Sequence, residues 1–231
     1  MTAATPATPL VAEDLLLLLF DPASGTIRGE GTPLFNVLAG AALVDLAFGE
    51  HVDVENQGWL RGKEVAVTGP PPTDPILRDV RDRLGDKPLE VHAVIAVVGP
   101  YLRGPIIERL VERGHLRQER RRLLGFIPTT ALVDGGTTRR AELIEAVRPV
   151  LVDGAEPDAR TAALAALLSA SDTLPRFHPD IAWSGAVYTN GKRLERGSWG
   201  TAAAAEVVAR AAAAMVAASF VAAITPAITG D

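Results

Sequence analysis

The chain contains no cysteine among its 231 residues, which excludes a disulfide framework, a thiolate metal site and a cysteine nucleophile. Aromatic residues make up only 5% of the sequence, and the four histidines show neither HExxH nor another short paired spacing. A zinc hydrolase is therefore not expected. Lysine is also scarce, because it occurs only at Lys63, Lys87 and Lys192, so that arginine dominates the basic side chains.

Motifs that bind nucleotides or activate a serine are missing as well. The segment GEGTPL has two of the three dinucleotide-binding glycines, but Leu34 stands at the third place, and Gly62-Lys63 is followed by glutamate where a P-loop needs serine or threonine. No G-x-S-x-G elbow occurs. We therefore expect a non-enzymatic protein with no cofactor and no metal. An enzyme would need a deep pocket lined by acids or bases, and Trp59, Trp183 and Trp199 would be the first residues to inspect.

Composition favours a folded acidic protein, since 48% of the residues are hydrophobic, 22% are charged and the formal net charge is −5. That charge argues against a surface built throughout for nucleic acid. The opening MTAATPATPLVAEDL has no basic segment and does not resemble a signal peptide. We expect a flexible tail over residues 1–9, one domain over 10–231, and a cytoplasmic location.

The spacing of apolar residues predicts a single, mainly α domain with short β-hairpins. The predicted helices cover 10–20, 33–48, 76–84, 102–113, a segment capped by Thr137 or Thr138 that runs to about 151, and a stretch after Asp158. The predicted strands cover 51–55, 64–67 and two pieces within 115–133 that flank 122–125. Gly99-Pro100 is expected to end the apolar segment 89–98, and residues 177–200 are expected to be irregular.

An alanine-rich stretch near the end carries no charge between Ala211 and Gly230, which is long enough to cross a bilayer. Alanine drives insertion only weakly, however, and the larger side chains recur at multiples of four residues. We therefore expect a buried core helix rather than a membrane span. The stripe consists of Val208, Val216, Phe220 and Ile224.

One segment, HLRQERRRLLGFIPTTALV, suggests a functional surface because it places arginines beside large apolar residues. Four arginines on an acidic protein form an electrostatic patch worth about 1 kcal/mol per residue near an anionic membrane. An apolar tip could add roughly 1.5–3 kcal/mol for each large side chain that it buries. The arginines are Arg117, Arg120, Arg121 and Arg122, and the tip residues are Leu123, Leu124, Phe126 and Ile127.

Two other interpretations compete with membrane docking. The segment could be a solvated turn whose apolar residues return to the core. It could also be the wing of a winged helix-turn-helix that contacts nucleic-acid phosphates, but Glu108 and Glu112 leave helix 102–113 nearly neutral, and an apolar tip suits a phosphate backbone poorly. Binding to an anionic membrane lipid is therefore favoured, and no nucleic acid is expected.

The order of segments resembles the Golgi phosphoprotein 3 family over residues 10–225. The resemblance begins at LVAEDLLLLLFDPASGTI, continues through LAGAALVDLAFGEHV and KEVAVTGPPPTDPIL, and is best at ERLVERGHLRQERRRLLGF. No single motif is specific, whereas the ordered set is. Alanine is abundant, and arginine greatly outnumbers lysine. Both features are typical of a GC-rich genome and indicate a bacterial, actinobacterial-type member.

The resemblance implies a compact helical protein that binds phosphatidylinositol 4-phosphate, inserts a hairpin tip into the membrane and holds cytosolic segments of membrane proteins. The family's hairpin corresponds to Glu119–Thr130, and one of its head-group arginines corresponds to Arg103. Two other head-group arginines fall on Pro100 and Ala39, and the head-group tryptophan falls near Glu30. Peripheral, reversible membrane binding is therefore expected, without the family's lipid specificity.

Overall fold

The computed structural model describes residues 8–56, 63–123, 127–197, 208–209 and 211–213. The α-helices are α1 (Val11–Leu19), α2 (Thr32–Phe48), α3 (Pro75–Leu84), α4 (Val91–Glu112), α5 (Arg139–Val152), α6 (Ala159–Ala170) and α7 (Gly185–Glu195). A 3-10 helix covers Leu174–Phe177. The strands are β1 (Phe20–Asp21), β2 (Thr26–Ile27), β3 (Val52–Asn56), β4 (Lys63–Val67), β5 (Leu89–Glu90), β6 (Leu116–Leu123) and β7 (Ile127–Asp134).

The strands form three small antiparallel sheets beside a helical core, which confirms the mainly α domain with short hairpins. β1 pairs with β2, β4 lies between β3 and β5, and β6 pairs with β7. At the centre lies α1, which contacts α2, α4, α5 and α6 and is buried along its whole length. Its run of five leucines is apolar on every side, and such a helix is stable only when other helices surround it.

Glu13 takes a negative charge into this core at the start of α1, where only 1% of the residue is exposed. Two arginines from the end of α4 approach its carboxylate, Arg109 with its Nη1 at 3.4 Å and Arg113 with its Nε at 2.8 Å. Arg109 also contacts Asp74 at 2.6 Å, and Asp74 caps α3 by accepting hydrogen bonds from the first backbone N–H groups. The carboxylate of Glu13 thus ties α1 to α4 and, through Arg109, to α3.

Asp14 is buried next to Glu13 and binds the helices on the other side of the core. Arg139, the first residue of α5, donates to both carboxylate oxygens at 3.0 and 2.7 Å. Arg160 of α6 donates to the same carboxylate at 2.7 Å and to the carbonyl oxygen of Pro9 at 2.6 Å. Acids in the first turn of a helix favour its dipole. In this fold Asp14 also joins α1 to α5 and α6.

The N-terminus of α1 is capped by Asp45, a residue of the neighbouring helix α2. Its two carboxylate oxygens accept hydrogen bonds from the backbone N–H groups of Val11 at 2.8 Å and Ala12 at 3.1 Å. Burial raises the pKa of Asp45 to about 7, although those two N–H donors and Arg160 favour the ionised form. A helix N-terminus buried without such acceptors would leave its first N–H groups unpaired.

The expected break at Gly99-Pro100 is wrong, because α4 continues through both Pro100 and Pro105. A proline inside a helix leaves a carbonyl four residues earlier without its donor. Here those carbonyls belong to Ala96 and Tyr101, which are exposed, so water can hydrate them. Gly99 also faces α2 closely, since a Cβ there would lie 2.8 Å from the carbonyl oxygen of Phe35.

The prediction that residues 177–200 are irregular is also wrong, because this segment contains the regular helix α7. The side chain of Ser184 accepts a hydrogen bond from the Val187 N–H and starts this helix. Gly191, which weakens the helical pattern of the sequence, is needed because α7 and α6 approach there, and a Cβ at 191 would clash with the Ser169 hydroxyl. Tertiary packing therefore decides a segment for which local propensity predicts turns.

The alanine-rich stretch enters the described part of the chain only at 208–209 and 211–213, which are helical. Val208, Ala211 and Ala212 are fully buried there, in agreement with a core helix, while 214–231 lie outside the described residues. Within the described residues, no helix is both long enough and apolar enough to span a bilayer. Of the flexible tail predicted over residues 1–9, residues 1–7 lie outside the described part of the chain.

Replacing Asp14 by asparagine tests whether the buried carboxylate joins the helices. Asp14→Asn removes the negative charge that Arg139 and Arg160 share, replaces one acceptor oxygen by an NH2 group, and should lower the free energy of unfolding by about 3 kcal/mol. Asp79→Asn is the matched control, because Asp79 pairs with Arg83 on the surface and water solvates both groups. Urea unfolding measures both variants, and equal stability of the two would contradict the role of Asp14.

The cap of α1 makes stability depend on pH. The pKa of Asp45 lies near 3.8 in an unfolded chain and near 7 in the fold, so between these values only the folded protein binds the proton. The difference in the free energy of unfolding between the native chain and Asp45→Asn should therefore fall as pH rises from about 4 to 7, by at most about 1.4 kcal/mol per pH unit. Above about pH 7 this difference should stay constant. Parallel urea titrations measure it, and a constant difference would contradict this assignment.

Candidate functional site

The arginine-rich segment forms a long antiparallel hairpin, which confirms the two strands predicted within 115–133, although β6 continues to Leu123. The register runs from Leu116 opposite Asp134 to Leu123 opposite Ile127. Each strand has eight residues and therefore spans about 24 Å. The backbone of Leu123 and Ile127 belongs to the strands, and residues 124–126 between them lie outside the described residues.

The base of the hairpin is fixed to the helical body. Leu116 is fully buried, and the N–H of Gly135 donates to the carbonyl oxygen of His115 at 2.9 Å. The turn between β1 and β2 packs against β7, since a Cβ at Gly25 would lie only 2.6 Å from the Leu132 carbonyl oxygen. The hairpin therefore leaves the body at a defined place directly after α4.

Beyond this base the hairpin enters solvent. Arg117, Gln118, Glu119 and Arg120 are all exposed on β6, and Thr130, which pairs with Arg120, is exposed on β7. The Nε of Arg117 donates to the carbonyl oxygen of Asp134 at 3.3 Å, and no carboxylate among the described residues forms an ion pair with its guanidinium. The exposed side chains of the hairpin thus begin on β6, while Leu132 of β7 still packs partly against the core.

The arginines of the hairpin do not share one face. The register places Arg120 opposite Thr130, Arg121 opposite Thr129 and Arg122 opposite Pro128. Because successive residues of a strand alternate between the two faces of a sheet, three consecutive positions cannot line one surface. A membrane that lies flat against one face of the hairpin would contact only the positions on that face. If the hairpin enters the membrane edge-on, the positions on both faces can contact it.

The predicted tip lies largely outside the described part of the molecule. Leu124 and Phe126 fall in the undescribed segment, and only the backbone of Leu123 and Ile127 is described. The same holds for Arg121 and Arg122, whose backbone lies in β6. Insertion of these apolar side chains into a membrane therefore stays a prediction.

Arg103 does not join the hairpin. It lies on α4 nine residues before Glu112, about 14 Å along the helix axis from its end. Its Nε lies 2.6 Å from Oε1 of Glu30, and its Nη2 donates to Oε2 at 3.3 Å. The sequence places both residues in the family's head-group region, but it does not reveal that Glu30 neutralises Arg103. Of the other two family positions, Pro100 is exposed and Ala39 is fully buried.

The pairing of the α4 arginines weakens the winged-helix alternative. A recognition helix needs free basic side chains to contact phosphates. Arg103 pairs with Glu30, and both Arg109 and Arg113 face the buried Glu13. Glu108 and Glu112 are the exposed charged residues near the end of the helix. α4 therefore presents no basic face of the kind that a DNA groove requires.

A small cavity of about 160 Å³ lies beside Trp183, where α6, the 3-10 helix and α7 meet. The other two tryptophans that an enzyme hypothesis would inspect, Trp59 and Trp199, lie outside the described residues. In the part of the chain that the structure describes, no group of three or more histidine, aspartate or glutamate side chains could hold a metal ion.

Comparison with known proteins identifies the fold. A search among curated proteins gives no match to this chain. The model of one protein family matches residues 11–211, which include every helix and strand described above. That family is known for peripheral Golgi proteins that bind phosphatidylinositol 4-phosphate, and its members are generally non-catalytic. The chain belongs to the Golgi phosphoprotein 3 (GPP34) family.

Proposed function

We propose that this protein is a non-enzymatic peripheral adaptor that docks reversibly on anionic membranes through the β6–β7 hairpin. The observation that carries the proposal is that the hairpin brings two exposed arginines without a carboxylate partner among the described residues together on one projecting element, whereas many arginines of the body are paired. Body arginines such as Arg28, Arg109 and Arg139 lie within 3.5 Å of carboxylates. Arg117 and Arg120 are exposed and form no ion pair within the described residues.

Guanidiniums on a projecting hairpin suit an anionic surface, and Arg117 and Arg120 form no ion pair with the described residues. Each is worth about 1 kcal/mol near such a surface, so that Arg117 and Arg120–Arg122 together supply about 4 kcal/mol. This alone gives weak attachment, and the apolar tip is the second contribution that makes docking effective. In the proposal Leu123, Leu124, Phe126 and Ile127 enter the interface between head groups and acyl chains.

The Glu30–Arg103 pair shapes the lipid preference. A phosphate that approaches Arg103 would have to displace a carboxylate that already contacts the guanidinium at 2.6 Å. The proposed docking therefore depends on anionic charge in general rather than on a phosphorylated inositol head group. Cytosolic segments of membrane proteins are the partners that an adaptor of this kind would hold, and the bacterial origin indicated by the composition stays part of the proposal.

Reversal of three hairpin charges tests the proposal. In the variant Arg120→Glu, Arg121→Glu and Arg122→Glu, the lost attraction alone should weaken partition onto phosphatidylglycerol vesicles at least about hundredfold. The melting temperature should stay nearly constant, because Arg120 is exposed and unpaired in the described residues. Co-sedimentation measures partition, and circular dichroism follows melting.

A second triple variant controls for net charge. Arg148, Arg176 and Arg196 are also exposed, lie on the helical body and form no ion pair in the described part of the chain. Their replacement by glutamate changes the total charge equally and should reduce vesicle binding much less. Equal loss in both variants would contradict docking through the hairpin, and retention on DNA without vesicle binding would favour the winged-helix alternative.

The apolar contribution is tested separately from the charges. Leu124→Ser with Phe126→Ser should weaken partition by about tenfold or more, because two large side chains no longer leave water. The dependence of binding on salt should stay that of the native protein, since the arginines are retained. Vesicle titrations over a range of ionic strength measure both effects, and unchanged partition would show that the tip does not insert.

A further inference from the structure

The cavity beside α7 has walls and a rim of different character. It opens between the end of α6, the 3-10 helix and the start of α7, which are all fixed by buried residues such as Leu168, Phe177 and Val187. Its walls are apolar and aromatic, and its rim is charged. The walls are Leu174, Pro175, Trp183 and Tyr188, and the rim is Asp172 and Lys192.

Two large aromatic rings stand in solvent at this cavity. Trp183 is 46% exposed and Tyr188 is 53% exposed, and their centroids are 6.3 Å apart with the ring planes at 80°. The indole N–H and the phenol O–H have no hydrogen-bond partner among the described residues. The pair therefore offers two apolar walls and two free donors, a combination that is enriched where proteins bind other chains.

Of the two charged residues at the rim, Lys192 is paired within the body and Asp172 is not paired with any described residue. The Nζ of Lys192 donates to both carboxylate oxygens of Glu195, at 3.0 and 2.9 Å, so this pair is neutral. Glu195 is buried and also accepts a hydrogen bond from the Ser169 hydroxyl at 2.7 Å. Asp172 is exposed and forms no ion pair in the described part of the chain. A cationic group on a ligand would therefore be attracted to Asp172.

The size of the cavity limits its occupant. Sites that enclose a free small molecule usually measure about 300–1,000 Å³. A volume near 160 Å³ accommodates about one ring or one side chain, so the occupant is part of a longer chain. A polyproline II segment presents proline rings at regular intervals, and its backbone carbonyls have no internal hydrogen bonds and accept donors such as indole N–H and phenol O–H.

We propose that this aromatic pocket (Leu174, Pro175, Trp183 and Tyr188) binds a proline-rich peptide in the polyproline II conformation, with an adjacent basic residue opposite Asp172. Aromatic side chains that line a shallow groove recognise this preformed helix at low entropic cost. The pocket is formed by elements other than the hairpin. The proposal is therefore independent of membrane docking and holds whether or not that function is correct.

Titration with synthetic peptides tests the proposal on the full-length protein. The probe is Pro-Pro-Leu-Pro-Pro-Arg-Pro, and the comparison peptide has glutamate in place of arginine. We expect saturable binding of the arginine peptide, with changes in the indole N–H resonance of Trp183. Trp183→Ala and Tyr188→Ala should each weaken binding by about tenfold or more. Asp172→Asn should reduce the preference for the arginine peptide by about two- to fivefold.

Tyr101→Ala is the matched control, since Tyr101 is 55% exposed but lies on α4 against Arg83. It should leave peptide binding unchanged. The pocket residues are exposed, so their variants should fold, and the titration of the native protein provides a test that needs no variant. Absence of saturable binding to the native chain would overturn the proposal. It would also be overturned by an equal loss in Tyr101→Ala, or by a response of Trp183 to monosaccharides or vesicles but not to the peptides.

Discussion

The carboxylates of Glu13 and Asp14 enter the core at the start of α1, and arginines from α4, α5 and α6 meet them there. A helix that is apolar on every side can pack in many orientations, because leucines on one face resemble leucines on another. Two buried charges remove that freedom, since each must meet particular guanidinium groups or remain unpaired at a high cost. The acids thus fix the orientation of the central helix, and Asp45 satisfies its first N–H groups.

Arginines of this chain serve two different roles. Arginines such as Arg109, Arg139 and Arg160 act inside the fold, because each holds a helix to α1 or to a loop. The hairpin arginines Arg117 and Arg120 act outside it, since the described part of the chain provides no carboxylate for them. The hairpin therefore carries a local positive charge at Arg117 and Arg120, although the net charge of the chain is negative.

Local pattern was sufficient to predict most helices and the hairpin, because apolar periodicity and turn residues act over a few positions. It failed where distant contacts decide. α4 passes through Pro100, where the residue whose carbonyl loses its donor, Ala96, lies at the surface, and α7 forms where Gly191 lets it approach α6. The sequence located the hairpin of the candidate site, but not the separation of Arg103, whose partner Glu30 lies 73 positions away. Such ion pairs leave no trace in local spacing.

Hydrogen exchange on anionic vesicles tests the central claim most directly, because it locates the docking surface without any substitution. The account predicts that phosphatidylglycerol vesicles slow amide exchange within the hairpin at 117–133. The exchange rates of α7 and of the buried α1 should be the same as in the absence of vesicles. Neutral phosphatidylcholine vesicles should leave the hairpin unprotected. Slowed exchange confined to another surface, or none in the hairpin when the protein is vesicle-bound, would contradict the account.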